Sequence, residues 1–284
     1  MHTTGIFRVH KFSISLDKIG DPIYLIPFSD IHRSSPNCDV DLFKDSLARW
    51  KRLKNAYFLG VGDYDDFAST SERMIFSNRG LHESTRDTLE DVYKSNVDRL
   101  VREMSFMKGR LIGLLEGNHY AEFQNGTTTT QLMCDKLETK YLGVSAFIRL
   151  VISYHRKRYS LSICAHHGKG ASRLIGGSIN RVQQMGEGVE ADIYLMGHDH
   201  KKSCGTASKL YLSDFKGKVT LKHRKQLYVR TGGYLKGYED GRASYIADAA
   251  LNPTDLGTPI ITLTPKVVRS EAGRRFTVDI SSTI

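Results

Sequence analysis

Cysteine is scarce in this chain and dispersed. Cys38, Cys134, Cys164 and Cys204 form no CxxC pair. Four thiols so far apart in 284 residues fit reduced side chains better than a disulfide framework, and they argue against zinc held by closely spaced thiolates. No apolar run approaches the roughly 20 residues of a membrane span. The opening MHTTGIFRVHKF lacks the apolar core of a signal peptide. The expected compartment is the cytoplasm, with no membrane partner. Internal repeats and low-complexity tracts are missing too. Acid is in short supply: 31 Asp and Glu face 41 Lys and Arg, a net charge of +10. An excess of base attracts polyanions, so nucleic acid is a candidate partner. Basic clusters lie at Arg49 to Lys54, at Lys201-Lys202 and at Lys216 to Lys225. A solvated basic surface explains them as readily as a nucleic-acid footprint, because no recognised binding motif accompanies the charge.

What is present is a series of short motifs, each ending an apolar run: Ser29-Asp30-Ile31-His32, Gly62-Asp63-Tyr64-Asp65-Asp66, Gly117-Asn118-His119, Ala165-His166-His167-Gly168 and Gly197-His198-Asp199-His200. Six of the 11 histidines fall in four of them, so this is no random scatter of imidazole. Spread from residue 30 to residue 200, the set cannot be a local metal loop. Only a fold that brings many strand ends to one rim can gather it.

Periodicity supplies such a fold. FRVHKFSISL (7–16) and PIYLIPFSD (22–30) read as strands around a Gly20-Asp21-Pro22 turn. Residues 41–54 are amphipathic, and AYFLGVGD (56–63) reads as a buried parallel strand. Residues 64–82 look like an extended loop. Ser84 to Met107 carries apolar residues mostly three and four apart, with Ser84 able to cap a helix there. LIGLLEGNH (111–119) is strand then turn, and 128–139 is helical. The runs 144–154 and 158–168 suggest a hairpin, 179–185 a short helix, and 191–200 a strand bearing ligands at its end. KLYLSDF, KVTLKH, QLYVRTGG, PIITLTPKVV and RRFTVDI all favour strand, while 234–257 has the look of a long loop. Strands alternating with helices early, and strands late, imply one layered α/β domain.

Imidazole and carboxylate without thiolate suit Mn, Fe or Zn. A carboxylate can bridge two such ions, which together clamp the attacking and leaving oxygens of a phosphoryl group. The order DxH, GDxxD, GNH, H(x)G, GHxH resembles the calcineurin-like metallophosphoesterase superfamily over residues 30–200. The resemblance implies a four-layer α/β/β/α sandwich of two mixed sheets flanked by helices. It would form a single domain over 1–284, with 201–284 giving closing strands and a candidate substrate loop at 234–257. It implies two divalent cations, Mn first with Fe or Zn as alternatives. Asp30, His32, Asp63 and His200 would hold one. Asp63 would bridge to the second, held also by Asn118, His198 and either His166 or His167. His119 would meet the substrate and protonate the leaving oxygen, with Asp66 as the carboxylate that orients it. Asp65 has no assigned role and is expected to be solvated. Many members have Glu or Asp where Tyr120 stands, so one support of the site is in question.

The resemblance implies hydrolysis of a phosphate ester, and the basic charge favours a phosphodiester in nucleic acid or a nucleotide. Protein phosphatases of the family carry Arg-Gly after GDxxD and Glu after GNH, where this chain has Phe67-Ala68 and Tyr120. Tyr234, Tyr238 and Tyr245, interleaved with Lys236 and Arg242, could stack bases and hold phosphates; packed tyrosines of an ordinary loop are the equal alternative. Two rival functions stay open. A phosphomonoesterase would need a further cation, for which Arg33 or Arg173 is the candidate, and a metal-stabilised nucleic-acid-binding or scaffold protein would need none. Oligomeric state is not legible.

Overall fold

A computed structural model describes residues 6–73, 82–215, 217–270 and 273–284. Lys216 of the last basic cluster and residues 74–81 of the expected loop lie outside them; of that loop, 70–73 are helical. The protein is α/β, with two mixed sheets. In the first, β1 (Phe7–Ser15) runs parallel to β5 (Ser145–Tyr154), and β5 forms a hairpin with β6 (Lys157–His166). β7 (Ile193–Met196) and β9 (Lys218–Thr231) continue parallel to β6, and β8 (Lys202–Phe215) closes the edge antiparallel to β9. In the second sheet β2 (Ile23–Phe28), β3 (Ala56–Gly60) and β4 (Leu111–Leu114) are parallel. β10 (Ile260–Ser270) and β11 (Gly273–Thr283) extend it antiparallel, in the order β11-β10-β2-β3-β4.

The sheets meet over one apolar core, to which Leu25, Leu59 and Ile261 contribute from one side and Ile148, Leu161, Ile163, Leu195 and Val229 from the other. The short parallel strands are apolar on both faces because helices cover their outer side as well. Phe43 and Trp50 of α1 (Val40–Arg52), Leu100 and Met104 of α2 (Glu83–Met104), and Met133 of α3 (Thr129–Leu137) pack with Phe28 and Phe58. On the opposite outer face Val182 of α4 (Ile175–Gly188) packs with Tyr194 and Tyr228, whose rings stack 4.9 Å apart. A short α5 (Tyr245–Asp248) interrupts the 234–257 loop. No helix among the described residues is long and apolar enough to cross a membrane.

Caps follow local chemistry. Asp39 accepts from Leu42 N at 3.1 Å to start α1, and Thr128 with Gln131 forms a capping box for α3. At α2 the expected Ser84 cap is displaced by His82, whose Nδ1 accepts from Ser84 N at 3.3 Å, so the helix begins one residue sooner. β1 and β2 are neighbours in sequence but lie in different sheets, because β1 finds its partner in β5. The two late runs at 209–215 and 218–223 belong to one hairpin of 14-residue strands that begins at Lys202.

Candidate metal centre

Asp30 and His32 follow β2, Asp63 follows β3, Asn118 and His119 follow β4, His167 follows β6, and His198 and His200 follow β7. The parallel pairings bring these ends together within each sheet. Hydrogen bonds between the sheets complete the rim. His198 N donates to both Asp30 carboxylate oxygens, at 3.1 and 3.0 Å, and His167 Nδ1 donates to Val61 O at 2.7 Å.

Three groups of donors result among the described residues, one of them His32 with Asp66 and His119. Asp30, His32 and His200 offer atoms within 4.8 Å of one another, and so do Asp63, His167 and His198. Asp63 stands between them: its Oδ2 is 3.1 Å from His167 Nε2 and 3.8 Å from His32 Nε2. Asn118 Oδ1 lies 2.9 Å from His167 Nε2 and 2.8 Å from His198 Nδ1. The set fits divalent cations on two observations. His32 Nε2 is buried with no hydrogen-bond partner. His167, its Nδ1 proton spent on Val61, turns its other nitrogen to two acceptor oxygens, as a ligand imidazole does.

The electrostatics agree. Burial pushes the Asp30 carboxyl up. Burial works the same way on Asp63, but the imidazoles of His167, His32 and His119 overcome it and hold that carboxyl below the usual range. Burial would lower His167, yet Asp63 and Asp30 lift it to about 9; a proton there takes the place of a cation. His200 is pushed down to about 3, by burial and by His32 beside it, which leaves it neutral and ready to ligate.

The backbone is bent to this purpose. Asp30, His32, Asp63, His198 and His200 all have φ between 47° and 75°, a left-handed conformation that costs a non-glycine residue free energy and that surrounding structure must enforce. Gly117 is needed for a different reason. A Cβ there would lie 1.9 Å from Asp63 Oδ1, the oxygen that also accepts from His119 N at 2.9 Å.

Asp66 Oδ1 lies 2.8 Å from His119 Nδ1, close enough for an ion pair but not aligned for a hydrogen bond, and 3.4 Å from His32 Nδ1. One open choice is narrowed by position, and three expectations need correction. Of the histidine pair, His167 joins the centre; His166 points the other way along β6, accepts from Gly168 N at 2.7 Å and lines a cleft beside α4. Arg33 is no substrate cation, because Glu103 holds its guanidinium at 2.8–3.2 Å. Tyr234 cannot stack a base: it is fully buried against Phe43, and its backbone N donates to Asp30 O. Asp65 is buried rather than solvated, accepting from Ser34 N and pairing with Arg99 at 3.3 Å. Tyr238 is exposed, with its hydroxyl on Leu251 O.

Two residues near the centre carried no motif. Arg73 lies 3.8 Å over the Tyr120 ring and donates to the carbonyls of Asn118 and Tyr120, both at 2.8 Å. It supports the Gly-Asn-His turn beside Tyr120, the position whose support was in question. Arg230 is buried in β9, donates to Gly197 O at 2.6 Å and pairs with Asp199 at 3.5 Å, fixing the turn that bears His198 and His200. A lone cation in the apolar run QLYVRTGG was the only signal for it. Arg230→Met leaves the buried Asp199 without its partner. The expected result is a loss of roughly 3–5 kcal/mol in urea unfolding; a loss below about 1 kcal/mol would show the pair to be incidental.

Glu116, buried just before the Gly-Asn-His turn, is pushed up to about 7 by burial, against hydrogen bonds from Tyr141, Thr128 and Thr130. Folded protein therefore keeps a proton that unfolded chain releases near pH 4.5. Stability is full below that pH and falls as pH rises through 7, by about 3 kcal/mol in all. In Glu116→Gln, the urea midpoint should lose most of this slope between pH 5 and 8; an unchanged slope would assign it elsewhere.

Comparison with protein-family models finds no match, and comparison with curated proteins finds none.

Proposed function

We propose that this protein is a two-metal-dependent phosphoesterase of the calcineurin-like metallophosphoesterase type, with 1–284 as its single four-layer domain, hydrolysing phosphodiester bonds in nucleic acid or nucleotides. The observation that carries this is the position of Asp63 between the two His/Asp groups. Asp30, His32, His200 and Asp63 would hold one cation, and Asp63, Asn118, His167 and His198 the other. Mn suits these nitrogen and oxygen donors, as do Fe and Zn. When bound, the pair supplies Lewis acidity that lowers the pKa of water and neutralises phosphoryl charge.

The chain does the rest. Asp63 Oδ1 fixes the His119 backbone at 2.9 Å, which sets where that side chain begins. Asp66 faces Nδ1 of His119, leaving Nε2 to give a proton to the departing oxygen. The Arg73 clamp holds the turn that carries both Asn118 and His119. The basic charge of the chain supports a phosphodiester, and of the two cations a monoesterase could use, Arg33 is already committed to Glu103.

The test compares hydrolysis of bis-p-nitrophenyl phosphate and p-nitrophenyl phosphate by stripped protein supplied with Mn. Faster cleavage of the diester is expected. Faster cleavage of the monoester would replace the reading with a phosphatase, and silence on both with two cations bound would leave a metal-stabilised binding protein.

A further inference from the structure

A cleft of about 720 Å³ opens between the 168–172 loop and α4, against the flank of the second donor group. His166, Gly168 and Met196 form its inner wall, and each lies within two residues of His167 or His198 in the chain. The two features touch: a Cβ on Gly168 would stand 3.0 Å from His198 Cβ and 3.1 Å from Gly197 O. Half-buried Met185 contributes to the floor, while Lys169, Asn180, Arg181 and Gln184 form an exposed rim. Arg181 Nη1 donates to Lys169 O at 2.8 Å, so the loop is tied to the helix across the rim.

We propose that this cleft binds the strand beside the scissile phosphate, taking one or two nucleotides of a single-stranded nucleic acid. This rests on the phosphodiesterase reading and names its substrate class. Lys169 and Arg181 supply the cations a phosphate backbone needs, on a chain already at +10. Asn180 and Gln184 each carry both a donor and acceptor, so they can meet the edge of any base. The thioethers of Met185 and Met196 offer a polarizable floor that adapts to different ring shapes. Among the described residues that line the cleft the only ring is the imidazole of His166.

The experiment reads binding and chemistry separately. Binding of a fluorescein-labelled hexathymidylate is measured by anisotropy on the Mn-loaded His119→Ala protein, and bis-p-nitrophenyl phosphate hydrolysis on the parent. Two variants alter the cleft: Lys169→Glu/Arg181→Glu reverses its rim charge, and Gln184→Trp fills it without a change of charge. Lys218→Glu/Lys222→Glu, on the β8–β9 hairpin, applies the same change of charge elsewhere. Both cleft variants should weaken hexathymidylate binding at least tenfold while diester hydrolysis stays within threefold, and the hairpin control should bind within twofold of parent. Unchanged binding in both cleft variants, equal weakening in the hairpin control, or thymidine monophosphate competing as well as the hexamer would each overturn the strand subsite. Selective loss of binding in protein that never hydrolyses the diester would sink the phosphodiesterase reading and leave the cleft standing.

Discussion

Asp63→Asn should lose the second cation and lower turnover by about a thousandfold or more, the scale on which metal-derived stabilisation of several kcal/mol appears in a rate. The substitution isolates charge from shape. Asn keeps an Oδ1 to accept from His119 N, now at 2.9 Å, so the Gly-Asn-His turn should hold. The other oxygen becomes an amide, either unable to ligate or turned from His167 Nε2, where Asp63 Oδ2 now lies at 3.1 Å. The carboxylate that chiefly lifts His167 to about 9 is removed as well, so the metal-free variant loses the proton that substitutes for the cation. Metal content by elemental analysis and titration calorimetry should show at most one tightly held ion. Two ions bound with parental affinity would mean that Asp63 does not join the two groups, and the two-metal reading would go with it.

His119→Ala should behave in the opposite way, keeping both ions and losing turnover. His119 falls in neither the Asp30 nor the Asp63 group, only in the third with His32 and Asp66, so metal content at the two proposed positions should match the parent. A general acid contributes about 10²–10⁴-fold, and only where the leaving oxygen needs a proton. The loss should therefore be large on a nucleoside leaving group and small on p-nitrophenolate, which departs without help. Asp66→Asn should give a smaller loss, of about tenfold, with the same dependence on leaving group, if Asp66 acts only through its charge 2.8 Å from His119 Nδ1. Equal losses on good and poor leaving groups would remove proton donation from His119. A fall in metal content in Asp66→Asn would instead trace its effect to His32, 3.4 Å from the same oxygen.

Much of the centre was legible because strand ends announce themselves. An apolar run that stops at Asp, His or Asn has few ways to fold other than as a buried strand delivering a ligand, and β2, β3, β4 and β7 do so. The helix expected at 84–107 was legible from spacing, but it ends at Met104, with a 3-10 turn over 105–107, and its cap was not legible. Ser84 and His82 can both accept from a helix N-terminus, and only the chain's path into α2 selected His82. Tyr234 and Arg33 failed for a shared reason. Each sits one or two residues from a site glycine or histidine, yet neighbours in sequence point to opposite sides of a chain, and Phe43 and Glu103 captured the side chains that faced away.

By itself, then, the sequence determined the layered α/β class and a set of candidate metal donors, because periodicity and residue chemistry are local properties. Three things waited for the tertiary structure. The choice of His167 over His166 depended on which face of β6 meets the second sheet, where Val61 O and Asn118 receive the ring. The central place of Asp63 depended on the separation of two sheets that share no sequence continuity. The clamps by Arg73 and Arg230 on the two ligand turns depended on contacts between segments 45 and 33 residues apart. Packing alone decides such contacts, since nothing in a local pattern records which distant carbonyl a buried guanidinium will reach.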